Sequence, residues 1–204
     1  MALHTEQRLP LMESFGTLQG EGFHTGRAAW FIRLGGCDVG CVWCDVKESW
    51  DASAHPLYTA EEMVKEALKL PARMAVITGG EPLMHPLDEL TQKLKQAGFE
   101  TNLETSGAHP LSGSWDWICL SPKKFKEPLP EVLGAANEFK VVVYHPSDLV
   151  WMQKFIPFLN PDCRLFLQPE WSKSKQIAPV LVDYVKENTA WRLSLQTHKY
   201  LQIP

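Results

Sequence analysis

The 204-residue chain has no apolar run of transmembrane length, and its first residues, Met-Ala-Leu-His-Thr-Glu-Gln-Arg, lack the apolar core of a signal peptide. A cytosolic protein without a membrane partner is expected. Neither sign of charge dominates: the net charge is −4 and the pI is near 6.0, which favours neither nucleic acid nor an anionic membrane as partner. No internal repeat, low-complexity tract or charge block marks a linker, so one domain over residues 1–204 is expected. Cysteine is scarce, five in all, and three of the five lie within eight residues, unlike the spread of a secreted disulfide framework. Cys119 and Cys163 sit in apolar stretches and read as small core residues.

Short apolar or β-branched runs alternate with helix-like segments over most of the chain. Strands are predicted at 29–34, 74–78, 100–104, 117–120, 139–144, 164–168 and 192–195. Thr59-Ala-Glu-Glu62 has the form of a helix capping box, followed by an apolar face of Met63, Ala67 and Leu68. Further helices are predicted over 86–97, ending at Gly98, and over 147–158 and 177–187. Strand and helix in regular alternation imply right-handed crossovers and a mostly parallel sheet of about six strands. That is too few for a closed eight-fold barrel. The expected fold class is therefore α/β, an incomplete, open β/α barrel with ligands beyond the carboxyl ends of its strands.

The clustered cysteines read Cys37-Asp-Val-Gly-Cys41-Val-Trp-Cys44. Three thiolates on one loop can each bind one iron of a cubic iron–sulfur cluster, leaving a fourth iron open to a cosubstrate. Two alternatives are a structural zinc site completed by a histidine such as His24, and a cysteine-rich loop without metal. Thr78-Gly-Gly-Glu-Pro82 closes a strand with two residues that let the backbone approach a ligand, then offers a carboxylate suited to an ammonium group. Gly20-Glu-Gly22 precedes a strand and is not G-x-G-x-x-G, so it is no dinucleotide loop.

The C-x3-C-x2-C spacing with Trp43 before the third cysteine resembles the radical S-adenosylmethionine enzymes. That resemblance implies a 4Fe–4S cluster on Cys37, Cys41 and Cys44, with S-adenosylmethionine chelating the open iron and yielding a 5′-deoxyadenosyl radical. It also implies that Gly79, Gly80 and Glu81 bind the methionine half, and that Ser121, Pro122 and Lys123 contact the cosubstrate. For Lys123 the alternative is an ordinary solvated lysine. Leu103-Glu-Thr-Ser-Gly107 likewise resembles a strand end that reaches the ribose.

Two further motifs, Thr17-Leu-Gln-Gly-Glu-Gly-Phe-His-Thr-Gly-Arg27 and the closing Leu195-Gln-Thr-His-Lys-Tyr-Leu-Gln-Ile-Pro204, resemble the 7-carboxy-7-deazaguanine synthase family nearly end to end. The activity this implies is a lyase reaction in which 6-carboxy-5,6,7,8-tetrahydropterin loses the hydrogen at carbon 6, contracts its ring and releases ammonia, on the way to queuosine-type deazapurines. Leu18, Gln19, Gly20, Glu21, Thr78, Gln168, His198 and the Pro204 carboxylate are the substrate-binding residues implied. Arg33 would form a forked pair with the substrate carboxylate, or else be a surface arginine. A homodimer and an electron donor such as flavodoxin or ferredoxin are implied as well. Where that family commonly carries Cys-Asp-Thr or a serine, whose hydroxyl helps bind Mg2+, this chain reads Cys44-Asp45-Val46, and valine has no oxygen to offer, so Mg2+ either binds through substrate and water or is dispensed with. Two other functions fit fewer of these motifs: a radical activating enzyme acting on a protein partner, and a non-catalytic zinc-binding interaction module.

Overall fold

Apolar side chains at alternate positions build strands with two unlike faces, and this sets the architecture. The computed structural model describes residues 6–204; Met1–Thr5, on which the signal-peptide expectation partly rests, lie outside the described residues. The strands are β1 (Arg8–Leu18), β2 (Ala28–Leu34), β3 (Leu57–Thr59), β4 (Met74–Gly79), β5 (Glu100–Thr105), β6 (Trp117–Leu120), β7 (Glu138–Val143), β8 (Arg164–Pro169) and β9 (Trp191–Leu193). The helices are α1 (Ala60–Ala67), α2 (Asp88–Gln96), α3 (Pro130–Ala135), α4 (Ser147–Trp151), α5 (Ser174–Glu187) and α6 (Thr197–Leu201).

One sheet of nine strands runs in the order β3-β1-β2-β4-β5-β6-β7-β8-β9, with β3 and β9 as unjoined edges. It is an open α/β sheet. Strand β2 and strands β4 to β9 are mutually parallel, whereas β1 pairs antiparallel with both β2 and β3. The count exceeds the six or so expected because β1 and β3 carry no clean alternation. In β1, a bulge between Leu11 and Glu13 shifts the register, and Pro10 and Gly16 weaken the strand signal further. The strands that were anticipated end within a residue or two of where they were placed. The segment 147–158 is one short α-helix continued as a 3-10 helix with Pro157 inside it.

One face of the sheet packs on the helices. Ile32, Leu34, Ile77, Leu103, Leu120, Phe139, Val141 and Leu167 join Met63, Leu90, Leu94, Val132 and Leu181 in the main core. The Thr59 capping box is formed, with the hydroxyl accepting from the Glu62 amide and the Glu62 carboxylate accepting from the Thr59 amide. The opposite, inner face carries the intervening residues: Arg33 of β2, Thr78 of β4, Glu104 of β5, Lys140 of β7 and Gln168 of β8 all line a cavity there. In a sheet buried on both faces such positions are usually apolar. Their polarity sets this face apart from the core.

Candidate functional site

A cavity of about 230 Å3 opens on the inner face, and a second of about 160 Å3 adjoins it, sharing Glu21, Arg33, Asp45, Val46, Thr78, Glu104 and Gln196. The larger holds Cys37, Cys41 and Cys44 together with Gly79, Gly80, Glu81, Ser121, Lys123 and Gln168. The smaller holds Leu18, Gln19, Gly20, His198 and Pro204, walled by Phe15 and Phe31, whose rings stack at 5.7 Å. Of the residues singled out in the sequence, Pro122 lines neither cavity and is buried in the turn after β6.

The cysteine loop follows β2 and is fixed by backbone bonds. Gly36 N donates to Ser49 O at 2.6 Å, Cys37 N to Trp50 O at 3.1 Å, and Glu81 N to Gly36 O at 2.8 Å. The Gly-Gly pair serves this crossing. Gly79 has φ +130°, and a Cβ on Gly80 would lie 2.2 Å from Gly36 O and 2.9 Å from Cys37 Cβ. Gly79 thus admits the backbone of Leu34 and Gly80 that of the cysteine loop, and both also line the larger cavity.

The three cysteines pack together with Val39 and Ala108. Yet among the described residues no three or more His, Cys, Asp or Glu converge on a point where one metal ion would sit. Thiols gathered on one loop without a common focus suit a cube, whose corners are separate irons, better than tetrahedral zinc. Burial pushes the Cys37 thiol up, and the Cys41 thiol up to about 11, so loading the site must release protons. His24 is not a fourth ligand. It lies in neither cavity, edge-on to Trp117 at 4.7 Å, with Nδ1 accepting from Arg27 at 2.8 Å.

Glu81 is 1% exposed. Its Oε1 accepts from Thr105 Oγ1 at 2.5 Å and Leu83 N at 3.2 Å, and its Oε2 accepts from Ser106 N at 2.8 Å and from the Ser106 hydroxyl. All four acceptor positions of the carboxylate are thus engaged. It ties the end of β4 to the end of β5. Lys123 folds onto Ser121, donating to its carbonyl and hydroxyl at 2.6 Å each, and lies 5.6 Å from the Trp43 ring. Burial lowers its ammonium below the usual lysine range.

The sequence reading missed the centre of the site. Lys140, 2% exposed, donates to Glu21 Oε2 at 2.6 Å and to Glu104 Oε2 at 3.0 Å. Gln19 Nε2 donates to Glu104 Oε1 at 3.1 Å, and Gln196 Nε2 to Glu21 Oε1 at 2.9 Å. Burial alone would raise the Glu21 carboxyl, but the Lys140 charge and the Lys140, Gln196 and Gln168 hydrogen bonds outweigh it and hold it at about 2. Burial also opposes the Lys140 charge, yet neighbouring negative groups, Glu104 and Glu21 among them, carry its ammonium well above the usual range. The signal available in the sequence was a charge at an inner-face position of an otherwise apolar strand.

The segment after β1 plugs the sheet rather than forming a loose turn. Gly22 N donates to Ser194 Oγ at 2.9 Å, Phe23 N donates to Glu138 Oε2 at 3.1 Å, and the Phe23 ring stacks on Trp117 at 4.8 Å. A Cβ on Gly20 would lie 2.2 Å from His198 Nδ1, so only glycine lets that ring close on the chain. The Thr17 hydroxyl donates to the Pro204 carboxyl end at 3.0 Å.

A family profile described as the Radical SAM superfamily matches residues 31–132. A 7-carboxy-7-deazaguanine synthase of Flavobacterium psychrophilum is 52% identical over 204 residues, covering 100% of this chain and 97% of that protein. The chain belongs to the 7-carboxy-7-deazaguanine synthase family. The Escherichia coli synthase is 37% identical, with 95% of this chain and 98% of that protein covered. The crystal structure of QueE from Escherichia coli superposes with a TM-score of 0.83 at 34% identity, covering 94% of this chain and 95% of that one. A zinc module is therefore excluded as the reading of this family's cysteine loop. No described helix is long and apolar enough to cross a membrane.

Two predictions follow from the geometry. Gly80→Ala should push the cysteine loop off β4, so iron and sulfide bound after anaerobic reconstitution should fall to a small fraction of the wild-type value. Gly134→Ala, where an added Cβ has nothing within 4 Å, should reconstitute normally; equal loading of the two variants would contradict the packing argument. For Glu21, a carboxyl near 4.5 when unfolded is held at about 2 when folded, so its stabilisation is complete above pH 4.5 and is lost as pH falls towards 2. Urea midpoints measured across that window should show a shallower acid loss in Glu21→Gln than in wild type.

Proposed function

We propose that this chain converts 6-carboxy-5,6,7,8-tetrahydropterin to 7-carboxy-7-deazaguanine and ammonia by radical S-adenosylmethionine chemistry. The observation that carries the reading is the pairing of cavities. One is built on the cysteine loop, and the other is walled by β1, the Gln19–Glu21 segment and the α6 end of the chain. A radical activating enzyme would need the first cavity only.

Cys37, Cys41 and Cys44 fit a 4Fe–4S cluster, and Gly80, Glu81, Ser121 and Lys123 face the place a cosubstrate on it would occupy. With S-adenosylmethionine bound, that centre supplies a 5′-deoxyadenosyl radical. The protein's part is to hold the pterin against it. Phe15 and Phe31 offer a flat apolar wall, while Gln19, Glu21, Thr78 and Gln168 present donors and acceptors to a pterin edge. Arg33 gives Nε to Glu13 at 2.6 Å, and among the described residues its terminal nitrogens are left for the substrate carboxylate. His198 and the Pro204 carboxylate complete the smaller cavity, and Glu21 and Glu104 each accept a hydrogen bond from the Lys140 ammonium.

Cys119 is in the core and Cys163 lies apart from the cysteine loop, so no second cluster stands ready to relay electrons. Reduction falls to an external carrier of the flavodoxin or ferredoxin type. The homodimer is carried over from the resemblance alone. Magnesium is not a group these residues fit: Val46 offers no oxygen, and Asp45 is paired with Lys199 at 2.7 Å.

The test is anaerobic incubation of the reconstituted chain with S-adenosylmethionine, a reductant and the carboxypterin, followed by mass analysis. The deazaguanine acid and ammonia should appear together. S-adenosylmethionine cleavage without pterin consumption would overturn the proposal. A short peptide appended after Pro204 should displace its carboxylate and lower turnover at least tenfold, roughly the loss of one charge-assisted hydrogen bond, with iron and sulfide content unchanged.

A further inference from the structure

Each side-chain carboxylate that lines the two cavities accepts at least one hydrogen bond. Glu21 and Glu104 hold Lys140, Glu81 is filled by Thr105 and Ser106, Glu170 caps the 171–173 turn, and Asp45 accepts from Lys199 Nζ at 2.7 Å. Val46 lines both cavities and presents only methyl groups where the family's hydroxyl would stand. A hard divalent cation asks for near-octahedral oxygen ligands, and the carboxylate next to Val46, that of Asp45, already accepts from Lys199 at Oδ2. The position nevertheless has a positive charge. Lys199 follows His198 on α6, lines the larger cavity together with Asp45, Val46 and Arg33, and is held over the Trp171 ring at 5.3 Å.

We propose that in this chain the Lys199 ammonium, oriented by Asp45, is the cation that meets the substrate carboxylate, in place of a magnesium ion. An ammonium carries three donors, and Asp45 takes one. The side chain of Lys199 is 21% exposed against 61% for Asp45, so the cation lies deeper than its partner and towards the cavity. Trp171 and Asp45 restrict an otherwise flexible stem, which lowers the entropy lost when a ligand is gripped. With Arg33 the site then offers two cations, each balanced in the free protein by one carboxylate, Glu13 or Asp45.

The inference rests on the pterin reading, and the test separates the two. Without reductant there is no turnover, so binding of carboxytetrahydropterin to the reconstituted protein, desalted into Mg2+-free buffer, with S-adenosylmethionine can be titrated calorimetrically, with and without millimolar Mg2+. Wild type should bind equally well in both conditions, and Mg2+ titrated alone should give no saturable heat. Lys199→Met should weaken pterin binding roughly tenfold or more, the loss expected for a charge-assisted hydrogen bond, while Lys199→Arg should stay within a few fold and all three should carry the same iron and sulfide. Mg2+ that tightens wild-type binding, or Lys199→Met that binds like wild type, overturns the Lys199 assignment and leaves the pterin reading standing. Wild type that binds no pterin in either condition overturns both.

Discussion

A buried lysine holds this structure's working parts together. Lys140 sits on the inner face of β7 and reaches a carboxylate from the segment after β1 and another from β5. Placing three charges out of water costs several kcal/mol per ion, and the cost is offset only where geometry and further hydrogen bonds are good. Here both conditions hold, because Gln19 and Gln196 satisfy the outer oxygens of Glu104 and Glu21. The arrangement therefore adds specificity of placement. It draws the Gln19–Glu21 segment and the Gln196–Pro204 segment onto one patch of sheet, and these two segments wall the smaller cavity.

The other half of the site depends on backbone closeness. The cysteine loop is pinned between the Gly79-Gly80 crossing and the Ser49–Trp50 turn, and Glu81 secures that crossing to β5 through Thr105 and Ser106. The thiols are thus presented by a framework tied to β4, β5 and the Ser49–Trp50 turn. Between the two halves, Arg33 and Thr78 face both cavities, so a ligand in one touches residues that border the other. This is the geometry required to bring a substrate hydrogen beside a radical formed at the cluster.

Much of this was legible in the sequence, because the parallel strands are short apolar runs and the cysteine and Gly-Gly-Glu-Pro motifs fall at their ends. Strand β1 was not, since its bulge and Pro10 disrupt the alternation that announces a strand. Glu81 was read as a free acceptor, and only three dimensions reveal the hydroxyls that fill it. Lys140 was passed over, and Glu104 was read only as part of a strand end, because a single charge in a strand looks like solvent exposure until the neighbouring strands show that both faces are covered. Helix α6 has five residues and no side-chain cap, and it is stabilised by contacts such as Thr197 N to Gly20 O rather than by any local signal.

The claim that Lys140 gathers both segments is tested most directly by amide hydrogen exchange, comparing wild type with Lys140→Met. If the account is right, protection is lost together in residues 19–27 and 196–204, and lost more there than in β4 to β6. Unchanged protection in both segments, or loss in one alone, would contradict it.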